Sequence, residues 1–594
     1  MKVLDRLTGE RLNELPSPLL PDRYRLLEPF TVNGHSKLQV GDLLSDDGSG
    51  AILIQGAEHP VVSNNPSDEE LADSELSAEA IITIVENKYD SPMLPAEMAA
   101  QCKLKELERK LATVLEAGHL HSISDRPRID LRYEDIVAPV ARVRRLATSA
   151  LSHLASHSDC WQQRTLSGIQ PRKILARFSE DDHAIYENRL YKRLLDRLDR
   201  HLAKRLARIR SVNSRLEKAL EFQNPDQTHF RLRERICKLW GDAYQFDKTN
   251  MHLEAGKSAV TELESQLRSI RELKQRGLYT LLPVASTVPT QVHRTNILNH
   301  DPHYRHLPPL WDELKNDPDQ RKLTPEERLE HHQRLQHAYI SYVGLVLRQA
   351  LERYGLQISE QSFQWGGKHF VLKNETHDWI VEESDGTRLR LIPITWFGVS
   401  IENEENISPN CVVCWPGTTD SVVSPRHLPV SPLDLYVVEK MGHLIDEWML
   451  KQLLNGYGRK LGPLPNSVKQ LAEKLPENFE PVSTTHVKLV APLDDQPAAD
   501  VKNSLLKDAN EKVNADVLSA IEQIETLSRL CGHKTTFGHG AKQDGFHCEC
   551  ENCGMTWSLN KRLFFMRQKE VPNRSSEDDF LWFGRDWLKF DLDL

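Results

Sequence analysis

The sequence predicts a multidomain α+β protein, and three observations predict it: its length, a change of hydrophobic period along the chain, and a crowding of cysteines near one end. At 594 residues the chain exceeds the size at which a single core stops growing, so several folded units are expected. Apolar residues alternate in short runs first, then recur at helical spacing, then do both. Four of the nine cysteines fall between positions 531 and 553.

Residues 1–92 read as a β-rich N-terminal domain, with AILIQ (51–55) and AIITIV (80–85) as strands between Gly, Asn and Asp turns. Residues 93–290 read as a helical domain, from AEMAAQCKLKELERKLATVL through VARVRRLATSALSHLASH to VTELESQLRSIRELKQRGLYTLL. The Pro-, His- and Asn-rich stretch 291–325 reads as a linker, and 326–460 as an α/β domain. A second linker over 461–500 leads to a last segment, 501–594, of one helix, the cysteine cluster and an acidic aromatic tail, EDDFLWFGRDWLKFDLDL.

Composition narrows the function classes. With 39% hydrophobic and 27% charged residues the chain suits a soluble globular protein, and a net charge of −10 confines any nucleic-acid surface to a local patch. No run approaches the roughly 18 apolar residues that span a bilayer, and MKVLDRLTGERLNELP lacks a signal-peptide core. A cytoplasmic location is therefore expected, with no membrane partner.

The stretch AIYENRLYKRLLDRLDRHLAKRLARI (184–209) predicts a helix, with Ser179 and Asp182 resembling an N-cap that starts it near Glu180. Leu190, Leu194, Leu198, Leu202, Leu206 and Ile209 share one face, and Arg189, Arg193, Arg197, Arg200 and Lys204 occupy the opposite one. Such a cationic row either tracks nucleic-acid phosphates or is a solvated face interrupted by Asp196 and Asp199. Glu187 falls within the apolar stripe, where an unpaired carboxylate is costly. A structural pairing with an arginine of ARVRRL (141–146) or PRKILARF (171–178) is expected, rather than acid/base catalysis.

RPRIDLRYEDIVAPVARVRRL (126–146) followed by IQPRKILARFSEDDHAIYENRLYKRLLDRL (169–198) resembles an uncharacterised domain family of McrC-like proteins, which sit beside McrB-type ATPases or helicases in bacterial defence islands. Pro171-Arg172 and Glu187-Asn188-Arg189 are its most specific marks, and the similarity is firm over about 95–220. The resemblance implies an antiviral defence role, a helicase or McrB-like ATPase as partner, DNA as a ligand, and in many relatives a following PD-(D/E)xK nuclease that holds Mg²⁺.

That nuclease signature is missing where the resemblance would place it, which suggests a degenerate PD-(D/E)xK-like domain. Asp378 and WIVEE supply Glu382 and Glu383, but the next strand offers Arg388 and Arg390 instead of a lysine, and arginine holds its proton too firmly to substitute. Glu86-Asn87-Lys88, with Asp68 and Asp73 upstream, is the one literal Glu-x-Lys. Glu86, Lys88 and Glu382 therefore stand as weak catalytic candidates, beside the reading of Glu86-Asn87-Lys88 as a surface turn. A non-catalytic subunit is the leading expectation; a divergent Mg²⁺-dependent nuclease and a protein-only scaffold are the alternatives.

CGHKTTFGHGAKQDGFHCECENCGMTW (531–557) carries the strongest chemical signal. Cys550 and Cys553 flank a tight turn that Gly554 can close, the geometry of a zinc knuckle. Cys531 joins them across a hairpin, and the fourth ligand is His533 or Cys548, making a structural Zn²⁺ ribbon. Cys411-x-x-Cys414 reads as a buried strand rather than half of a second site. The tail aromatics Phe580, Trp582, Phe583, Trp587 and Phe590 suit docking on a partner or on the chain's own core.

Overall fold

The computed structural model describes residues 2–32, 36–45, 51–54, 57–61, 68–224, 228–241, 244–283, 291–317, 323–357, 360–395, 408, 410–418, 426–505, 511–539, 545–568 and 576–592. Trp396-Phe397 at the end of TRLRLIPITWF (387–397), the VPT (288–290) that precedes the 291–325 stretch, and the hairpin turn 540–544 lie outside them. The architecture is α+β, with several separate sheets among many helices. Contacts group the chain into two units that are each discontinuous in sequence: Met1–Gln101 with Ser211–Leu253 and Leu323–Leu594, and Cys102–Arg210 with Glu254–Lys322. Among the described residues no helix is long and apolar enough to cross a membrane.

The first unit contains a six-stranded sheet: Ser362–Trp365, Lys368–Glu375, Asp378–Glu383, Arg388–Pro393, Cys411–Trp415 and His427–Pro429, in that spatial order. The first three pairings are antiparallel and the last two parallel. Helix Pro325–Leu351 packs against it, started by a capping box: the Thr324 hydroxyl accepts from Glu327 N at 3.2 Å and the Glu327 carboxylate accepts from Thr324 N at 2.9 Å. Leu7 and Leu20 join Ile392, Ile394, Cys411 and Val413 in one core, so the N-terminal strands are anchored on this sheet.

Two expectations change in this unit, and one of the two alternatives left for the tail is the one observed. AIITIV is not a strand; it lies in helix Asp68–Glu86. That helix buries Leu76, Ala80, Ile81, Ile82 and Ile84 around most of its circumference, so its apolar run is as continuous as a strand's. The 461–500 stretch is not a free linker. It holds strands Lys460–Leu461, Phe479–Pro481 and Val487–Leu489 and two helices, whose Val468, Val487, Leu489 and Val501 share a core with Ile521 and Ile524. The tail packs on its own chain, since Phe580, Phe583, Leu588 and Phe590 are buried and Leu588–Asp591 completes a five-stranded antiparallel sheet with Thr536–His539, Gly545–Glu549, Met555–Asn560 and Leu563–Gln568.

The second unit departs further from the all-helical expectation. Asp130–Pro139 and Lys173–Asp182 pair antiparallel over ten residues in an unbroken register, and a short hairpin, Trp161–Thr165 with Gly168–Pro171, precedes the second strand. Helix Tyr186–Phe222 starts after this ribbon, not at Glu180, and runs on beyond this unit. Asp182 still caps a turn, with its carboxylate accepting from Ala184 N at 2.8 Å, but one turn earlier than the helix itself. The expected 291–325 linker contributes helices Asn296–His300 and Leu307–Asn316, burying Leu298, Tyr304, Leu307 and Trp311.

Candidate metal centre and the other expected sites

The metal centre grows from two turns. At the first, helix Glu511–Leu527 ends and the chain folds back through Gly532, whose φ of 83° and N–H bond to Arg529 O at 2.8 Å present Cys531 and His533 beside strand Thr536–His539. At the second, strand Gly545–Glu549 runs into Cys550-Glu551-Asn552-Cys553-Gly554. Cys550 N donates to Met555 O and Gly554 N to Cys550 O, both at 2.9 Å, and Gly554 takes a φ of 69°. This is the predicted knuckle, and Gln568 Nε2 steadies it through Cys553 O at 3.2 Å.

Ligand atoms of Cys531, His533, Cys550 and Cys553 lie within 4.8 Å of one another, a span that one four-coordinate ion can bridge. These four residues can hold a metal ion, and among the described residues no other group of three or more His, Cys, Asp or Glu does so. Burial and the neighbouring thiols push the Cys531 thiol up to about 12. Cys550, against its burial, is held below the usual thiol range by hydrogen bonds from Cys553 and Cys531 and from backbone N–H groups. Three sulfurs so close together disfavour a second and third thiolate unless a cation joins them.

Cys548 is not part of the cluster. It sits inside the strand opposite Phe537 and Trp557, fully buried between sheet and helix, with Sγ 4.0 Å from Leu527 O. Burial drives its thiol upward, away from the thiolate a metal needs. Cys411 and Cys414 likewise lie buried in the six-stranded sheet.

Beside the centre lies a cavity of about 710 Å³ whose lining includes Cys531, His533, Arg235, Arg353, Tyr354 and Asp586. Several of its charges pair with one another. Arg585 donates Nε to Asp446 at 2.9 Å, Arg353 reaches Asp446 at 3.1 Å and Asp586 at 3.3 Å, and Arg235 reaches Glu439 at 2.9 Å and Asp586 at 2.6 Å. Nothing in the sequence signalled this network, because its members come from four distant segments.

The weak catalytic candidates are dispersed and paired. Glu86 ends a helix and accepts from Nε and Nη2 of Arg334, each at 2.6 Å, while Lys88 is exposed in a turn at a φ of 55°. Glu382 is held by Lys373 and Arg388, and Glu383 by Lys368 at 2.6 Å. Asp378 receives Arg6 at 2.5 Å and Arg390 Nε at 2.9 Å.

Glu187 is buried, but its partner is the Thr295 hydroxyl at 2.5 Å, not an arginine of the two expected segments. Asn188 is the centre of the triplet: its amide donates to Arg128 O and His183 O, and its carbonyl accepts from Tyr304 OH at 2.6 Å. Arg189 folds back onto Ala184 O at 2.7 Å. Arg197 stacks on Trp311, 4.7 Å from the ring centroid. Arg193, Arg200 and Lys204 remain as the exposed part of the cationic row. No protein-family model, curated protein or solved structure matches the chain.

Proposed function

We propose that this chain is a nucleic-acid-binding, non-catalytic subunit of a bacterial multi-gene antiviral defence system, organised around a structural zinc centre and acting in the cytoplasm with an ATPase or helicase partner. The defence context rests on the resemblance of 95–220 to McrC-like proteins. The absence of catalysis rests on one observation above all: Asp378, the acid on the strand where a nuclease would gather its metal, is clamped between the guanidinium groups of Arg6 and Arg390. Two fixed positive charges on one carboxylate repel a divalent cation from it. Four sulfur and nitrogen ligands of the Cys531 cluster suit Zn²⁺ in a closed, structural role.

Purified protein incubated with duplex DNA and Mg²⁺ or Mn²⁺ tests this reading. Intact DNA, retained by the protein in a salt-sensitive manner, is the expected result. Cleavage abolished by Glu86→Ala or Glu382→Ala would overturn it in favour of a divergent nuclease, and no retention at all would leave a protein-only scaffold.

A further inference from the structure

The ribbon of the second unit carries a charge pattern that neither the metal centre nor the long helix accounts for. Between residues 138 and 175 the sequence places six cations, Arg142, Arg144, Arg145, Arg164, Arg172 and Lys173, against one carboxylate, Asp159. The fold brings their segments together along the Pro139–Lys173 half of the ribbon, with Arg164 on the hairpin that leads into it. Val140 N bonds to Arg172 O at 3.3 Å, Arg172 N to Cys160 O at 2.9 Å, and Arg177 N to Arg145 O at 2.9 Å, so four separate segments meet there. A small core of Ala147, Ala150, Leu154, Cys160 and Ile174 holds that end together.

The five arginines are exposed and Lys173 is half-buried. Among the described residues none of the six has an ion pair or a side-chain hydrogen bond; the single contact is Arg145 over the Tyr133 ring at 6.0 Å. The rest of the same ribbon behaves differently. At its middle Arg177 pairs with Asp135 at 2.9 Å, and toward the other end Arg132 pairs with Glu134 at 3.1 Å and Arg128 with Asp301 at 2.7 Å. One end has neutralised itself and the other has left its guanidinium groups uncompensated, in a chain whose net charge is −10.

We propose that this cationic end of the ribbon is the surface on which the chain holds the phosphate backbone of duplex nucleic acid. The inference deepens the nucleic-acid reading above and rests on it. Arginine's planar fork matches phosphate oxygens two at a time. A two-stranded ribbon is also a width that the major groove, about 12 Å across, admits. All of Asp130–Pro139 except Glu134 and Ala138 is exposed, so neither face of that strand is sealed against the rest of the unit. Loss of the six cations from a phosphate track would show as reduced counterion release, an effect with a known slope.

The test measures anisotropy of a labelled duplex of about 20 base pairs and of its single strand across about 50–200 mM salt. It compares the full-length parent with R142E/R144E/R145E, with the milder R164A/R172A, and with R193E/R200E on the long helix. The ribbon triple variant should bind the duplex at least about tenfold more weakly and lose about 3 from the salt slope, and the double variant about 2. Urea midpoints should match the parent's closely, because the one contact these side chains lose is that of Arg145 with the Tyr133 ring. Parent-like duplex binding by both ribbon variants overturns the inference while leaving the nucleic-acid reading intact, as does equally tight binding of the single strand. No salt-sensitive binding by the parent removes both, and assigns the exposed Leu131, Tyr133, Ile136 and Val137 of the ribbon to a protein partner.

Discussion

Replacing Arg585 by Met tests the account of the tail as part of the protein's own core. Arg585 is 4% exposed and donates Nε to Asp446 Oδ2 at 2.9 Å, Nη2 to Asp446 Oδ1, and Nη1 to Ala350 O at 2.8 Å. Around it three guanidinium groups, of Arg235, Arg353 and Arg585, face three carboxylates, of Glu439, Asp446 and Asp586, whose side chains are 2%, 3% and 13% exposed. Methionine keeps the methylene packing and removes one positive charge, leaving two cations against three acids. Breaking a buried pair from one side costs about 3–5 kcal/mol. Asp446 retains Arg353 at 3.1 Å and the Tyr354 hydroxyl at 2.5 Å, which places Arg585→Met at the lower end, about 3 kcal/mol. Removing both partners, Arg585→Met with Asp446→Asn, should recover about 2 kcal/mol of that loss through the coupling term. Urea unfolding followed by tryptophan fluorescence and by far-UV circular dichroism gives the numbers, provided the two transitions coincide. A single-variant cost below about 1 kcal/mol, or a double variant as unstable as the sum of the singles, refutes the reasoning.

The parent should carry about one zinc per chain by elemental analysis and C550S/C553S none, whereas C548S should keep its metal; loss of zinc from C548S would reinstate that residue as a ligand. His201 is buried between Glu108, 3.5 Å away, and Asp317, 3.2 Å away; burial alone would lower its pKa, and the two carboxylates raise it above the ordinary value. Its stabilising contribution is therefore complete below about pH 6.5 and lost as pH rises through the folded value. The unfolding midpoints of the parent and His201→Gln should accordingly differ most near pH 6 and converge on the alkaline side, and a gap that widens with pH contradicts this. Asn188→Ala removes the donor to Arg128 O and His183 O and the acceptor of the Tyr304 O–H, which keeps only the bond it accepts from Arg128 N at 3.1 Å, and should cost about 2–3 kcal/mol in a urea titration; Glu187→Gln, which keeps the Thr295 bond, should cost less than half of that.

Local spacing made the knuckle legible, because Cys550 and Cys553 need one turn and one glycine to converge. The fourth ligand was not legible. Choosing His533 over Cys548 depends on which way a strand residue faces, and Cys548 faces the helix end at Leu527. The alternation of mixed fold classes was readable from periodicity, whereas AIITIV misled because a helix buried on most sides loses its amphipathic signature. The ribbon misled for the opposite reason: its first strand is exposed on both faces, so its charged residues recur without the period of two that a half-buried strand shows. Pairs such as Arg6 with Asp378, 372 residues apart, and Arg235 with Glu439, 204 apart, leave no trace in a single sequence. Those pairs also decide how the acids of the α/β region can be used, so the strongest evidence bearing on catalysis was the least accessible to sequence reasoning.

Charge accounting connects the triplet Glu187-Asn188-Arg189 to the ribbon. A buried carboxylate within a leucine stripe suggests a guanidinium partner, and the sequence offers Arg142, Arg144, Arg145, Arg172 and Arg177 as the nearest donors. In the structure Glu187 is satisfied by a hydroxyl, Asn188 by two carbonyls and a phenol, and Arg189 by its own helix. Glu187 and Asn188 are thus held within the second unit, and Arg189 turns its Nε onto its own helix. The consequence falls on the arginines that Glu187 does not recruit. Arg177 finds Asp135, but among the described residues the other four have no acid to neutralise them, and guanidinium groups held along one part of a ribbon repel one another unless an anion joins them. The hydroxyl that satisfies Glu187 thus leaves the ribbon arginines to the one long anion proposed for them.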